Sequence, residues 1–220
     1  KIEKGLFDFN YQLNHLNLAK NLLKNVRRFN FKRLYHLKSL NLSFNSLIDI
    51  ENESFADLNN LEELKLNFNK LLILKSYFFS DLFNLKILEL SNNLIELIDE
   101  KCLWNNSNLE FLYLNNNNIK YLHYLSFSSL ANISSINLNN NRIIMFNKES
   151  MNSSKLEKLY LSNNPFNNLS YLGNIIKELN LSKTKIKFEN FSRLNDLTYL
   201  IGLDLSFNKM NRKILLNLNI

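Results

Sequence analysis

The stretch Leu61–Leu71 reads LEELKLNFNKL, and the same phrase, LxxLxLxxNxL, stands 24 residues earlier as LKSLNLSFNSL from Leu37 and 24 residues later as LKILELSNNLI from Leu85. Followed outward, the phrase opens at Leu13, Leu37, Leu61, Leu85, Leu109, Ile133, Leu156, Ile176 and Leu200, nine units in 220 residues. Self-similarity at a fixed period of this length is the signature of a stacked repeat array, in which each copy is one small structural unit.

The phrase carries its own physics. Alternation at period two puts the fourth and sixth residues, such as Leu64 and Leu66, on one face of a short strand, with Lys65 and Asn67 on the other. One unit is too small to bury its apolar face alone, so the units stack and their strands join into one parallel sheet over a shared core. The ninth slot holds Asn21, Asn45, Asn69, Asn93, Asn117, Asn141, Asn164 and Asn208, with Thr184 the exception. A carboxamide both donates and accepts, which suits backbone groups left unpaired where the chain turns off the strand, so these side chains are expected to form a buried ladder. Apolar residues recur in the fourteenth slot (Val26, Ile50, Leu74, Ile98, Leu122, Phe146, Leu169), and large ones in the nineteenth (Phe7, Phe31, Phe55, Phe79, Leu103, Phe127, Met151). Both series fill the back of the stack. Cys102, beside Leu103, reads as a packed core thiol.

The regularity breaks in one place. Unit spacing is 24 residues five times in succession, then 23, then 20, then 24 again. The 20-residue unit lacks the nineteenth-slot aromatic, which predicts a change of curvature over residues 167–175, a stretch that contains Gly173 and follows Pro165, the one proline. Ile2 and Phe7 fit the fourteenth and nineteenth slots of a preceding unit, and the unit from Leu200 breaks off part-way. Residues 1–220 are therefore expected to be a single array, truncated at both ends, of a longer native protein.

Composition narrows the function classes. The chain is 45% apolar with 3 Gly and 1 Pro, which excludes a disordered or low-complexity chain, and its 42 Asn are compatible with an AT-rich genome. A single cysteine excludes an internal disulfide framework. The three histidines, His15, His36 and His123, occupy unrelated slots with no partner at triad or metal-ligand spacing, and Gly5, Gly173 and Gly202 are too far apart for a phosphate-cradling loop. The reading is therefore of a non-enzyme with no cofactor and no metal. No apolar run reaches the length of a membrane span, so membrane attachment is expected only through segments outside this chain.

With phenylalanine in the nineteenth slot, the 24-residue phrase resembles the typical class of the leucine-rich-repeat family over essentially the whole chain. The resemblance implies an α/β-type solenoid with a curved parallel sheet on the concave face and loops and short 3-10 or helical turns on the convex face. That class is similar to extracellular animal proteins such as Toll-like receptor and chaoptin-like ectodomains, which implies a secreted or cell-surface module for receptor recognition or cell adhesion. Cysteine-rich caps and a signalling domain are not visible in these residues.

The concave face offers the binding surface. Its outward slots carry 7 bases (Lys20, Lys38, Lys65, Lys86, Lys158, Lys177, Lys183) and 7 acids (Glu62, Glu63, Glu89, Glu110, Glu157, Glu178, Asp204), although the whole chain has a net charge of +7. The surplus lies elsewhere, as in Arg27, Arg28, Lys32 and Arg33. Nucleic-acid binders concentrate positive charge on the contact face, so a protein ligand or a homophilic partner is expected and nucleic acid is not. Ile87, Phe111, Tyr113 and Tyr160, with Lys65 and Glu89, read either as an aromatic hot spot or as side chains packing on their neighbours. Phe44, Phe68 and Phe207, in the eighth slot, are expected to fold over the strand edge.

The glycosylation acceptor N-x-S/T occurs eight times, against roughly 4 expected from the 42 Asn and 23 Ser plus Thr. Asn41 and Asn180 belong to the strand phrase LNLS, which leaves Asn52, Asn105, Asn132, Asn152, Asn168 and Asn190 as acceptors compatible with stacking. Two further readings stay open: a cytoplasmic scaffold or regulatory subunit that binds a partner enzyme through the same face, and a repeat array appended to a catalytic protein.

Overall fold

The computed structural model describes residues 1–123, 125–146, 153–169, 172, 175–186 and 194–209. Met151, Asn152, Gly173 and Asn190 lie outside the described residues. Each of the first six units contributes a three-residue strand and then a two-residue strand. These are β1 (His15–Asn17) and β2 (Asn25–Val26), β3 (Ser39–Asn41) and β4 (Asp49–Ile50), β5 (Glu63–Lys65) and β6 (Ile73–Leu74), β7 (Ile87–Glu89) and β8 (Leu97–Ile98), β9 (Phe111–Tyr113) and β10 (Tyr121–Leu122), and β11 (Ser135–Asn137) and β12 (Met145–Phe146). The last three units contribute β13 (Lys158–Tyr160), β14 (Glu178–Asn180) and β15 (Gly202–Asp204).

The nine longer strands form one parallel sheet in strict chain order, β1-β3-β5-β7-β9-β11-β13-β14-β15. Their middle residues point inward: Leu40, Leu64, Leu88, Leu112, Ile136, Leu159 and Leu179 are all buried. The residues on either side are half-buried on the concave face, as period-two alternation requires. The short two-residue strands pair along the flank as β2-β4, β6-β8 and β10-β12, each with one exposed or half-buried residue and one buried one.

The 20-residue unit does not disturb the sheet. β13 and β14 pair in register, Lys158 with Glu178 and Tyr160 with Asn180, so the missing residues are taken from the return segment. Phe166 there stacks on Phe146 at 5.0 Å and is fully buried, supplying aromatic volume from the eleventh slot in the unit that lacks its nineteenth. In the regular units Phe7, Phe31 and Phe55 stack in series, with ring centroids 6.3 and 6.0 Å apart.

The convex side carries less helix than the α/β expectation. Among the described residues there is no α-helix, and one 3-10 turn lies at 194–196. The return segments instead close successive three-residue turns, as in Leu58 N–H to Phe55 O at 2.9 Å and Leu61 N–H to Leu58 O at 3.0 Å. The reason is width. Strands stack about 4.8 Å apart, whereas an α-helix with its side chains is about 10 Å across, so a helix in every unit would force the back of the stack apart. A polar residue stands in a leucine position of the convex core: Asn106 takes a position held by Leu34, Leu58, Leu82 and Leu130 in other units, is fully buried, and leaves its Oδ1 without a hydrogen-bond partner.

Candidate functional site

Because the strand register is the repeat itself, the outward slots run in straight columns across the sheet. The third-slot column reads Glu63, Ile87, Phe111, Ser135, Lys158, Glu178, and the fifth-slot column reads Lys65, Glu89, Tyr113, Asn137, Tyr160, Asn180. Five of the six predicted ligand residues therefore form one patch, Ile87 beside Phe111 and Lys65, Glu89 and Tyr113 on three successive strands. Tyr160 stands one strand further on, beyond Asn137, and its hydroxyl donates to Glu178 Oε2 at 2.8 Å.

The balance of charge read from the sequence is a set of direct pairs. Across strands, Lys86 meets Glu62 at 2.8 Å, Lys158 meets Glu178 at 2.7 Å and Lys177 meets Glu157 at 2.6 Å, while Lys65 turns to Glu63 on its own strand at 2.9 Å. The hydrogen bond and charge of Lys86 hold Glu62 below the usual carboxylate range, and those of Lys158, joined by the Tyr160 hydroxyl, do the same for Glu178. Partial burial, then the bond to Glu178, push the Tyr160 phenol up. Such exposed pairs add little to stability, but they fix which side chains stand free. They cluster in the third and fourth units and again in the seventh and eighth. Between them, the outward slots of the fifth and sixth units hold Phe111, Tyr113, asparagines and serines, with Glu110 their one charge.

The asparagines sort into three sets. In the ninth slot, Asn45, Asn69, Asn93, Asn117, Asn141 and Asn164 are only 3–9% exposed. Asn69 shows the geometry: Nδ2 donates to Leu66 O and to Leu42 O of the previous unit, both at 3.0 Å, and Oδ1 accepts from Leu47 N–H at 2.9 Å. Asn21, at the first unit, is exposed and donates only within its own unit; Asn208 is half-buried and accepts from Thr184 N–H at 2.8 Å. In the eighth slot the backbone is left-handed in all nine units, with φ between 52 and 59°. There Asn92, Asn116, Asn140 and Asn163 form a second chain on the surface, the amide nitrogens of Asn116, Asn140 and Asn163 each donating to the side-chain oxygen of the asparagine before it at 2.7–3.1 Å. Phe44 and Phe68 continue that column as a stacked pair at 4.2 Å. In the fifth slot Asn17, Asn41, Asn137 and Asn180 accept the backbone N–H two residues on at 2.9–3.1 Å, and Asp204 does the same for Ser206 at 2.9 Å. These are Asx turns, which need only the oxygen.

Of the acceptor asparagines, Asn52 and Asn105 are exposed and Asn132 and Asn168 are half-buried. Arg27 and Arg28 face Glu51 and Glu53, and the Phe29 ring lies beneath Lys4, Arg28 and Lys32 at 4.7–6.0 Å, so the basic surplus is in part neutralised by the next unit. Cys102 is fully buried, and desolvation pushes its thiol far above the usual range, which removes it as a nucleophile. Among the described residues no three His, Cys, Asp or Glu side chains come together as a metal site, and no helix is long and apolar enough to cross a membrane.

Reading the phrase alone missed a stripe on the flank. Ile73, Leu97, Tyr121 and Met145, the thirteenth slot of four consecutive units, are exposed. The signal was present in the sequence: stacking makes no demand on this slot, so four apolar residues in a row call for another cause.

Leucine rich repeat family models match residues 11–71 and 60–119, and a model of the BspA type leucine rich repeat region (6 copies) matches residues 97–218. The chain belongs to the leucine-rich-repeat family. No curated protein matches it at a significant level. Among solved structures, the leucine-rich-repeat array is similar to the TLR13–ssRNA13 complex (29% identity, TM-score 0.86, 93% of this chain and 30% of that one). It is also similar to the Drosophila Toll–Spatzle complex (28% identity, TM-score 0.71, 83% and 26%). The LRIM1/APL1C complex, at 21% identity and TM-score 0.82 over 94% and 37%, shares the fold. The array thus spans 26–37% of the length of these three chains. Leucine-rich-repeat folds of this kind are generally binding modules rather than enzymes. One of the three is a complex with RNA, so the fold itself does not exclude nucleic acid.

Proposed function

We propose that the leucine-rich-repeat array is an extracellular or cell-surface recognition module that holds a protein ligand on its concave face, through Lys65, Ile87, Glu89, Phe111, Tyr113 and Tyr160. The observation that carries this reading is the register, which turns five residues scattered over 49 positions of sequence, Lys65 to Tyr113, into one half-buried aromatic and aliphatic patch rimmed by charge, with Tyr160 one strand beyond Asn137. Aromatic anchors with a polar rim are the composition of interface hot spots. Ion pairing at the two ends leaves the middle of the face as the surface with least to lose on desolvation. The similarity to TLR13 and Toll supports an extracellular setting, with Asn52, Asn105, Asn132 and Asn168, and Asn152 and Asn190 outside the described residues, as glycan acceptors.

Two measurements test the proposal. Expression through a eukaryotic secretory pathway followed by mass spectrometry should find glycan on Asn52 or Asn105; fully unoccupied sites would move the array to the intracellular scaffold reading. A screen of the tagged chain against purified extracellular proteins, repeated with Phe111→Ala/Tyr113→Ala, should give a partner whose affinity falls at least tenfold in the variant. Unchanged affinity would place that binding on another face.

A further inference from the structure

The flank that follows the sheet carries an uncovered apolar surface. Along the thirteenth slot, Ile73, Leu97, Tyr121 and Met145 are 41–63% exposed while the next residue of each strand is buried, so these side chains point straight outward from a rigid edge. β6 pairs with β8 and β10 with β12, which sets the side chains in a column at strand spacing, about 4.8 Å per unit. The column has polar ends: Asp49, bound to Lys75 at 2.8 Å, precedes Ile73, and Asn168 follows Met145.

Beside it, the twelfth slot reads Ile48, Leu72, Glu96, Lys120, Ile144, all exposed. The two charges stand in adjacent units in the middle of an apolar run, and no ion pair joins either of them to another described residue. Seven of the nine side chains in the two columns are apolar, and each of the seven is 37–63% exposed. Monomeric proteins rarely leave so large an apolar surface bare.

The order of residues points to the occupant. A two-fold axis between the fourth and fifth units, perpendicular to the stack, exchanges each unit of one copy with its mirror-numbered unit of another. Leu97 then meets Tyr121 of the second copy, Ile73 meets Met145, and Leu72 meets Ile144. Glu96 of each copy meets Lys120 of the other, twice. Self-complementarity about a dyad is the requirement of an isologous dimer, and both columns meet it, one by apolar match and one by charge. We infer that this flank is a homodimer interface in which two copies of the chain pack antiparallel, leaving both concave faces open to ligand.

Sedimentation velocity of the chain over a concentration series tests this, with charge variants as the discriminating measurement. The wild type should pass from monomer to dimer. Glu96→Lys sets lysine against Lys120, Lys120→Glu sets glutamate against Glu96, and each alone should weaken the dimer at least tenfold. An equimolar mixture of the two single variants should recover wild-type affinity as a heterodimer, because every contact is again between opposite charges. All these positions are exposed, so circular dichroism of each variant should match the wild type. A chain that stays monomeric to its solubility limit overturns the inference, as does a dimer indifferent to Leu97→Lys or a mixture that recovers nothing. Phe111→Ala/Tyr113→Ala should leave the dimer intact, which separates this face from the concave one.

Discussion

Asn116 and Asn117 are neighbours in the chain, yet one faces water and the other the core. Asn117 is buried, donates from Nδ2 to Leu114 O and Leu90 O at 3.0 and 3.1 Å, and accepts from Ile95 N–H at 3.0 Å. Asn116 is exposed, and its side chain bonds the like residues Asn92 and Asn140 of adjoining units. The same pair of roles recurs at Asn92 and Asn93, Asn140 and Asn141, and Asn163 and Asn164. One amide in each pair satisfies backbone that water cannot reach; the other occupies a left-handed turn that asparagine tolerates better than most residues. Chemical identity does not determine an asparagine's energetic weight here, but its slot does.

The sharpest way to break this comparison is to delete the inner amide. Asn117→Ala strands a buried N–H on Ile95 and should lower unfolding free energy by roughly 1–3 kcal/mol in urea titration. Asn21→Ala removes the same residue type from an exposed position, and its effect should stay within about 0.5 kcal/mol. Equal losses at the two positions would refute the assignment of weight to burial. Asn106→Leu reverses the sign. It replaces a buried amide with an orphaned oxygen by the leucine found at that position in other units, and the two carbonyls it serves, Phe79 O and Leu82 O, already accept backbone N–H groups. The variant should gain about 1–2 kcal/mol, read as a rise in urea midpoint with unchanged slope. For the outer amide, Asn116→Gly keeps the left-handed backbone at φ 59° available while removing the side chain, and stability should change by less than about 0.5 kcal/mol.

The fold was legible because its determinants are local and repeated. A leucine at slots four and six forces the strand, a unit too small to close its own core forces the stack, and nine copies leave one topology. The short unit was legible as a break in spacing, but where the missing residues come from was not, since that depends on Phe166 filling volume behind a sheet that keeps its register. Surface roles were harder to read. A list of slots gives equal acids and bases, but which of them pair requires the lateral register that brings Lys158 to Glu178 and Lys86 to Glu62. The flank was not legible in the phrase, because stacking makes no demand on the twelfth and thirteenth slots and the phrase assigns them no residue type.

Acid weakens the concave face in a defined direction. Glu62 and Glu178 titrate below their ordinary range in the fold because lysines bond their ionised forms, so each contributes stability that is present above the unfolded carboxylate pKa and is lost as the pH falls through the lower folded value. Both are solvent-exposed pairs, so the effect on melting temperature should be small and should shrink further in high salt. Lys158→Met removes Glu178's main partner and should make that part of the acid loss disappear. An acid dependence unchanged in this variant would assign it to other carboxylates.

The finest distinction lies within the fifth slot. Asn137 uses only its oxygen to hold the N–H of Asn139, at 3.1 Å, as Asp204 does for Ser206. Asn137→Asp therefore keeps the turn and should leave both the urea midpoint and the circular dichroism spectrum unchanged. What it removes is an amide donor on the concave face between Tyr113 and Tyr160, replaced by a negative charge in the one stretch of that face that carries almost none. A ligand seated on the proposed patch should bind this variant more weakly while the fold stays intact. Loss of stability instead would mean that the amide nitrogen also holds the turn, and that the fifth slot belongs with the ninth.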